Sequence, residues 1–277
     1  MSTYLIGDIH GCYVEFKKLL KKISFNIYKD KLWLTGDLIY RGPDSFKVLK
    51  YIYKIRNNVK LSLGNHDITF LLNFYSYKNN IEELNIKNYE KNIFKKKNIN
   101  SIVKWLRNQP LAHINHKKKI IMCHAGIYPK WNFEDIINFS LEVEQFLKKE
   151  KYLHIFLKKI KGNYPDLWSD NLVNFDRIRF IVNSFTRMRY CSLNGKLNFK
   201  YKILKKNINN KLHPWFDILL CPIIKSYNIF FGHWSDLRGK GTPKNIIGLD
   251  TGCCWGHCLT AYNFEKKIFF SQKCKSI

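Results

Sequence analysis

Three times within the first 75 residues, a short apolar run ends in a glycine-bearing polar turn and leads into an amphipathic segment. That rhythm is the one a chain of βαβ units produces, with strands side by side and helices crossing over them. Residues 3–7, 32–35 and 59–63 read as the strands. Residues 14–23, with apolar side chains at 16, 19, 20 and 23, read as the first helix. Residues 46–55 and 67–73 follow as the second and third.

Further along, residues 76–108 are rich in Lys and Asn with weak helical periodicity, which predicts a solvated insertion. Strands are expected at 120–123, 229–231, 246–249, 259–264 and 267–271, the last two as a hairpin. Residues 133–157 and 175–185 read as helices, and residues 194–213 as polar and poorly patterned. The simplest account is one mixed α/β domain over 1–277, in which 76–108 and 133–213 are largely helical or irregular insertions.

The polar residues that end the strands are chemically coherent. They are Gly7-Asp8-Ile9-His10-Gly11, Gly36-Asp37, Gly64-Asn65-His66-Asp67, His124-Ala125-Gly126 and Gly232-His233. Loops at the carboxyl edge of a sheet can gather such groups at one point, where open α/β sheets bind ligands. Carboxylate, amide oxygen and imidazole together suit divalent ions such as Mn, Fe, Co or Zn. Two ions sharing a carboxylate polarise a phosphoryl oxygen and acidify a water. Taken singly, each cluster is an ordinary turn or a structural histidine; five behind five apolar strands make a pattern.

The order GDIHG, GDLIYRG, GNHD, HAG and GH resembles the metallophosphoesterases of the phosphoprotein-phosphatase type, over residues 5 to about 260. The resemblance implies a calcineurin-like β-sandwich flanked by helices and two divalent ions. Asp8, His10 and Asp37 would hold one ion, and Asp37, Asn65, His124 and His233 the other. It further implies that Arg41 clamps a substrate phosphate, that His66 protonates the leaving oxygen with Asp67 orienting it, and that a metal-bridging hydroxide attacks.

Within that superfamily, the segments 185–190 (FTRMRY) and 249–256 (LDTGCCWG) resemble the bacterial symmetrical diadenosine tetraphosphatases, which split diadenosine tetraphosphate into two ADP. Residues 36–43 (GDLIYRGP) lack the Asp that protein phosphatases usually carry before the Arg. Arg187 and Arg189, at alternate positions of an expected extended stretch, would share a face and contact the polyphosphate, unless they pair with Asp166 or Asp170. Tyr40, Tyr128, Trp131, Trp234 and Trp255 are the rings from which an adenine platform would be drawn. Two other readings use different chemistry: a Ser/Thr protein phosphatase on the same metal centre, or a basic nucleic-acid-binding module.

The formal charge of +27 bears on the last of these. Of 48 basic residues, 40 are scattered lysines, accompanied by abundant Asn, Ile, Tyr and Phe, all residues with AT-rich codons. Base composition of the genome therefore accounts for the charge, with steering of an anionic substrate as a by-product. No specific nucleic acid and no membrane partner is expected; the expected partner is the small dinucleoside polyphosphate. The apolar runs are too short to cross a bilayer and the N-terminus has no secretory pattern, so the reading is cytoplasmic. The eight cysteines are expected to be reduced. Cys253, Cys254, His257 and Cys258 lie close together, but a zinc ribbon needs a second, distant pair, and they are read as buried thiols.

Overall fold

The computed structural model describes residues 1–81, 86–150, 153–203 and 211–274. In chain order its elements are β1 (Thr3–Ile6), α1 (Tyr13–Lys22), β2 (Lys31–Leu34), α2 (Ser45–Lys54), β3 (Val59–Leu61) and α3 (Asn65–Lys78). Next come α4 (Asn88–Phe94), α5 (Ile99–Leu106), β4 (Ala112–Asn115), β5 (Ile120–Cys123), α6 (Phe133–Lys148), α7 (Leu153–Lys159) and α8 (Asn174–Arg187). The chain then forms β6 (Tyr190–Cys191), β7 (Leu197–Asn198), β8 (His213–Pro214), α9 (Pro222–Lys225), β9 (Asn228–Phe231), β10 (Ile246–Gly248), β11 (Cys258–Asn263) and β12 (Ile268–Lys273).

Two sheets carry the fold, in the orders β12-β11-β1-β2-β3 and β10-β9-β5-β4, and a small third sheet is ordered β7-β6-β8. β1, β2 and β3 run parallel, as the βαβ rhythm predicts, and so do β5, β9 and β10. The expected terminal hairpin is β11 with β12, and it adds antiparallel to β1.

Alternation along the strands divides the core. Leu5, Trp33, Ile120, Met122, Phe230 and Leu249 form one buried cluster between the two sheets. Their strand neighbours Tyr4, Ile6, Leu32, Leu34, Ile121 and Phe231 belong to a second cluster, shared with the helices outside. A strand buried on both faces must be apolar at nearly every position, which is why these runs read so clearly. Each fully buried Leu or Phe contributes about 1.5–3 kcal/mol. The arrangement is a two-sheet sandwich flanked by helices, as expected.

The structure departs from the sequence reading at several points. The described part of residues 76–108 is not simply solvated, since α4 and α5 bury Phe94, Ile99, Ile102, Val103 and Leu106 in the main core, while residues 82–85 lie outside the described residues. The helix expected over 133–157 is two, α6 and α7. The Arg107 guanidinium donates to the carbonyls of Leu147 (2.9 Å) and Lys148 (2.8 Å) at the end of α6. Such a long-range cap on the last carbonyls of a helix leaves no local sequence signal. β4 was not foreseen, because Ala112–Asn115 is half-buried and carries no continuous apolar run. Finally, Arg187 and Arg189 do not alternate along one extended stretch, since Arg187 closes α8 and only Met188 turns extended.

Cys253 and Cys274 are joined in a disulfide, with Cα atoms 5.4 Å apart, against the expectation of reduced thiols throughout. The end of β12 delivers Cys274 there, where its N–H donates to the His257 carbonyl at 2.7 Å. Cys254 is a buried free thiol, as read, whereas Cys258 is half-buried. No helix among the described residues is long and apolar enough to cross a membrane.

Candidate metal centre and active site

The loops leaving β1, β2, β3, β5, β9 and β10 meet at one edge of the paired sheets. They are stitched by backbone bonds: His10 N to Asp37 O at 2.8 Å, Gly11 N to Leu38 O at 2.9 Å and Gly232 N to His124 O at 2.7 Å. Five non-glycine residues at this edge hold left-handed backbone: His10 (φ 46), Asp37 (φ 48), Tyr40 (φ 67), Arg41 (φ 67) and His233 (φ 63). Such conformations cost energy and persist only where the surroundings enforce them, which is typical of functional sites.

Two glycines make the room. A Cβ on Gly64 would lie 2.1 Å from Asp37 Oδ1, and one on Gly232 would lie 1.9 Å from Asp8 Oδ1. Both carboxylates therefore pack directly against bare backbone.

The six residues expected to hold metal do come together. Asp37, His124 and His233 offer ligand atoms within 4.8 Å of one another, and so do His10, Asp37 and His66. Asp37 is common to both groups. Asp8 lies beside them, with Oδ2 3.9 Å from His10 Nε2. Thr35 Oγ1 and the N–H of His233 donate to the Asp8 carboxylate at 3.0 and 2.9 Å.

Backbone carbonyls orient three of the histidines. His10 Nδ1 donates to the Ile39 carbonyl at 3.1 Å, His124 Nδ1 to that of Thr35 at 2.9 Å, and His233 Nε2 to that of Arg187 at 3.2 Å. A carbonyl can only accept, so each of these bonds places a proton on the ring nitrogen that makes it and turns the other ring nitrogen inward. The inward Nε2 atoms of His10 and His124 stand 3.7 and 3.4 Å from Asp37 Oδ2. The Asn65 amide lies against His124 Nε2 at 3.3 Å, His233 Nδ1 at 3.1 Å and the Thr186 carbonyl at 3.2 Å. Carboxylate, amide and imidazole gathered at this range are the donor types that a divalent cation takes, so the donor set fits a divalent metal centre.

The electrostatics agree. Burial and the neighbouring Asp250 carboxylate raise Asp8 well above the usual carboxylate range. Burial also acts to raise Asp37, but His124, His66 and His10 outweigh it and hold Asp37 well below that range. Against its own burial, His124 is lifted to about 10 by Asp37 and Asp8. Burial lowers His10 to about 4, and burial with the Arg189 charge lowers His233. A buried acidic cluster that recruits a proton onto His124 is one that favours added positive charge.

His66 heads α3, with its N–H bonded to Asp37 Oδ1 at 2.8 Å and its ring 5.1 Å from that of His10. Asp67, expected to orient that imidazole, makes different contacts. Its carboxylate accepts from the N–H groups of Asp37 (2.8 Å), Leu38 (3.1 Å) and Gly64 (3.0 Å), binding the second loop to the third. Burial and the Asp37 charge raise it to about 7.

A cavity of about 580 Å³ opens over the cluster, lined by Arg41, His66, Arg187, Arg189 and Asp250 among others. Arg189 donates to the His233 carbonyl at 2.8 Å, and its buried Nε has no hydrogen-bond partner among the described residues. Arg187 is held by the Gly162 carbonyl (2.9 Å), Asn183 (2.9 Å) and Asn163 (2.8 Å) rather than by Asp166 or Asp170. Of the five rings considered for a base platform, Tyr40, Tyr128, Trp131 and Trp234 are buried. Trp255 is 55% exposed and stands 5.3 Å from the Arg41 guanidinium. Asp250 was not singled out from the sequence, although it follows an apolar strand as the expected ligands do; it is buried beside Asp8 and raised to about 6, mainly by burial.

Residues 1–234 match the calcineurin-like phosphoesterase family. The chain is 43% identical over 272 residues to a protein of Proteus mirabilis named symmetrical bis(5'-nucleosyl)-tetraphosphatase, covering 98% of this chain and 97% of that one. It is 45% identical over 267 residues to a protein of the same name from Baumannia cicadellinicola, covering 96% and 91%. Among solved structures, one assigned provisionally to a diadenosine tetraphosphatase superposes with a TM-score of 0.65 at 21% identity, over 99% of this chain and 93% of the other, a likeness of fold. With the sandwich, the converging ligand loops and these relatives in agreement, the chain belongs to the calcineurin-like phosphoesterase family.

Proposed function

We propose that this chain hydrolyses diadenosine tetraphosphate symmetrically, to two ADP. The observation that carries the reading is the convergence of two ligand groups on Asp37, in a chain 43–45% identical over nearly its full length to proteins named for that reaction. Asp8, His10 and Asp37 would hold one divalent cation, and Asp37, Asn65, His124 and His233 the other. Bound there, such a pair polarises phosphoryl oxygens and acidifies water, which phosphoanhydride hydrolysis requires.

The remaining steps fall to the chain's own groups. Arg41 lines the cavity at its mouth, where its planar fork can hold a phosphate in two hydrogen bonds. Arg189, also in the cavity lining, brings a second guanidinium toward the polyphosphate, whereas Arg187 serves mainly to fix the loop at 162–163. His66 delivers a proton to the leaving phosphate oxygen from the rim. No feature of the site favours the protein-phosphatase reading over this one.

Protein loaded with manganese and incubated with diadenosine tetraphosphate should yield ADP as sole product. ATP with AMP would mean asymmetric cleavage, and turnover of phosphopeptides alone would move the chain to the protein phosphatases.

A further inference from the structure

A second cavity, of about 950 Å³, adjoins the one over the metal cluster and shares Arg41 and His66 with it. It opens between the Arg41 loop, α2 and α4. Tyr89 stands in its wall, 45% exposed, with Lys87 Nζ 6.0 Å from the ring. Lys47 and Lys96 line it too. The first cavity repeats this chemistry on the other side of Arg41: an exposed ring, Trp255, beside cationic Arg41 and Arg189.

The wall that carries Tyr89 is fixed in place. Glu90, buried in the next position, accepts from Tyr40 Oη at 2.6 Å and from Asn73 Nδ2 at 2.7 Å, and its other oxygen takes the N–H of Lys87 at 3.2 Å. These bonds anchor the start of α4 to the loop before Arg41 and to α3, and they occupy the one acid buried in the cavity wall. Asp44, the other acid in the lining, pairs with Lys47 at 2.8 Å.

We infer that this second cavity is the site for one nucleoside diphosphate arm of the substrate, its base on Tyr89 and its phosphates toward Lys96 and Arg41, while the other arm lies across Trp255. The inference rests on the reading above, that the substrate has two nucleoside arms about a central phosphoanhydride. A substrate with two like ends, cut at its middle, needs an aromatic platform and cations on both sides of the metals; stacking on an exposed ring is available to any base. Arg41 and His66, common to both cavities, then stand where the arms join.

Calorimetric titration of the metal-loaded chain with ADP tests it. The unaltered protein should bind two ADP. Tyr89→Ala should weaken one of the two sites at least tenfold and spare the other, and Tyr89→Trp should keep both. Lys96→Glu, at an exposed position outside the core, should weaken the same site as Tyr89→Ala. Two unchanged sites in Tyr89→Ala, or a single site in the unaltered chain, would overturn the inference. Failure of the unaltered chain to cleave diadenosine tetraphosphate, with two ADP still bound, would instead sink the proposed reaction and leave the subsite standing.

Discussion

The backbone N–H of His66 donates to Asp37 Oδ1 at 2.8 Å, tethering the head of α3 to the carboxylate that both ligand groups share. The backbone that carries the proposed proton donor is thus tied directly to the proposed bridging ligand, and the His66 ring swings from that fixed point.

Replacing Asp37 by Asn keeps an acceptor for that N–H and removes the shared negative charge. Turnover should fall by about 1,000-fold, at the upper end for losing a charge-stabilising group. Elemental analysis should find fewer ions per chain than in the unaltered protein. Normal activity with both ions retained would take Asp37 out of the centre.

His66→Asn separates two assignments. As the proton donor, its loss should slow catalysis by roughly 100- to 10,000-fold with metal content unchanged. Its ring also lies in the group with His10 and Asp37. A variant that loses an ion would identify His66 as a ligand instead.

Gly64→Ala would press a Cβ against Asp37 Oδ1 at 2.1 Å and Asp37 N at 2.6 Å. Backbone on one side and a ligand carboxylate on the other leave little freedom to relax. Urea unfolding should show a loss of about 1–3 kcal/mol, the usual cost of overpacking, together with weaker metal binding. An unperturbed variant would show that the loop yields.

His113 gives a pH dependence away from the metal cluster. Its Nε2 donates to the Leu61 carbonyl at 3.0 Å, and burial, with Lys60 nearby, lowers its pKa to about 4. A histidine held neutral in the fold gains its proton more readily when unfolded, so its stabilising contribution is complete above about pH 6.5 and declines as pH falls toward 4. Between pH 7 and pH 5 the unaltered protein should lose on the order of 1–2 kcal/mol more than His113→Gln. Equal losses in denaturant titrations would contradict this.

Much of the candidate centre could be read from the sequence because most of the proposed ligands follow buried strands, so that apolar run and polar turn stand in sharp contrast. Asp8, Asp37 and His124 are clear for that reason. What stayed hidden depends on contacts between distant segments. The Arg107 cap that ends α6, the pairing of Cys253 with Cys274 and the bonds from Glu90 to Tyr40 and Asn73 join residues from 17 to 50 positions apart. The resemblance implies that Asp67 orients His66, but consecutive residues at a helix start point different ways, and its carboxylate turns back to the loops.

That turn has a consequence for interpreting inactive variants. A carboxylate gripping three amides of two separate loops governs how far apart the ligand-bearing segments stand, without ever approaching a phosphate. Damage at position 67 would mimic a chemical defect in any rate measurement, yet would betray its architectural origin beforehand, as poor cation retention in protein that had met no substrate.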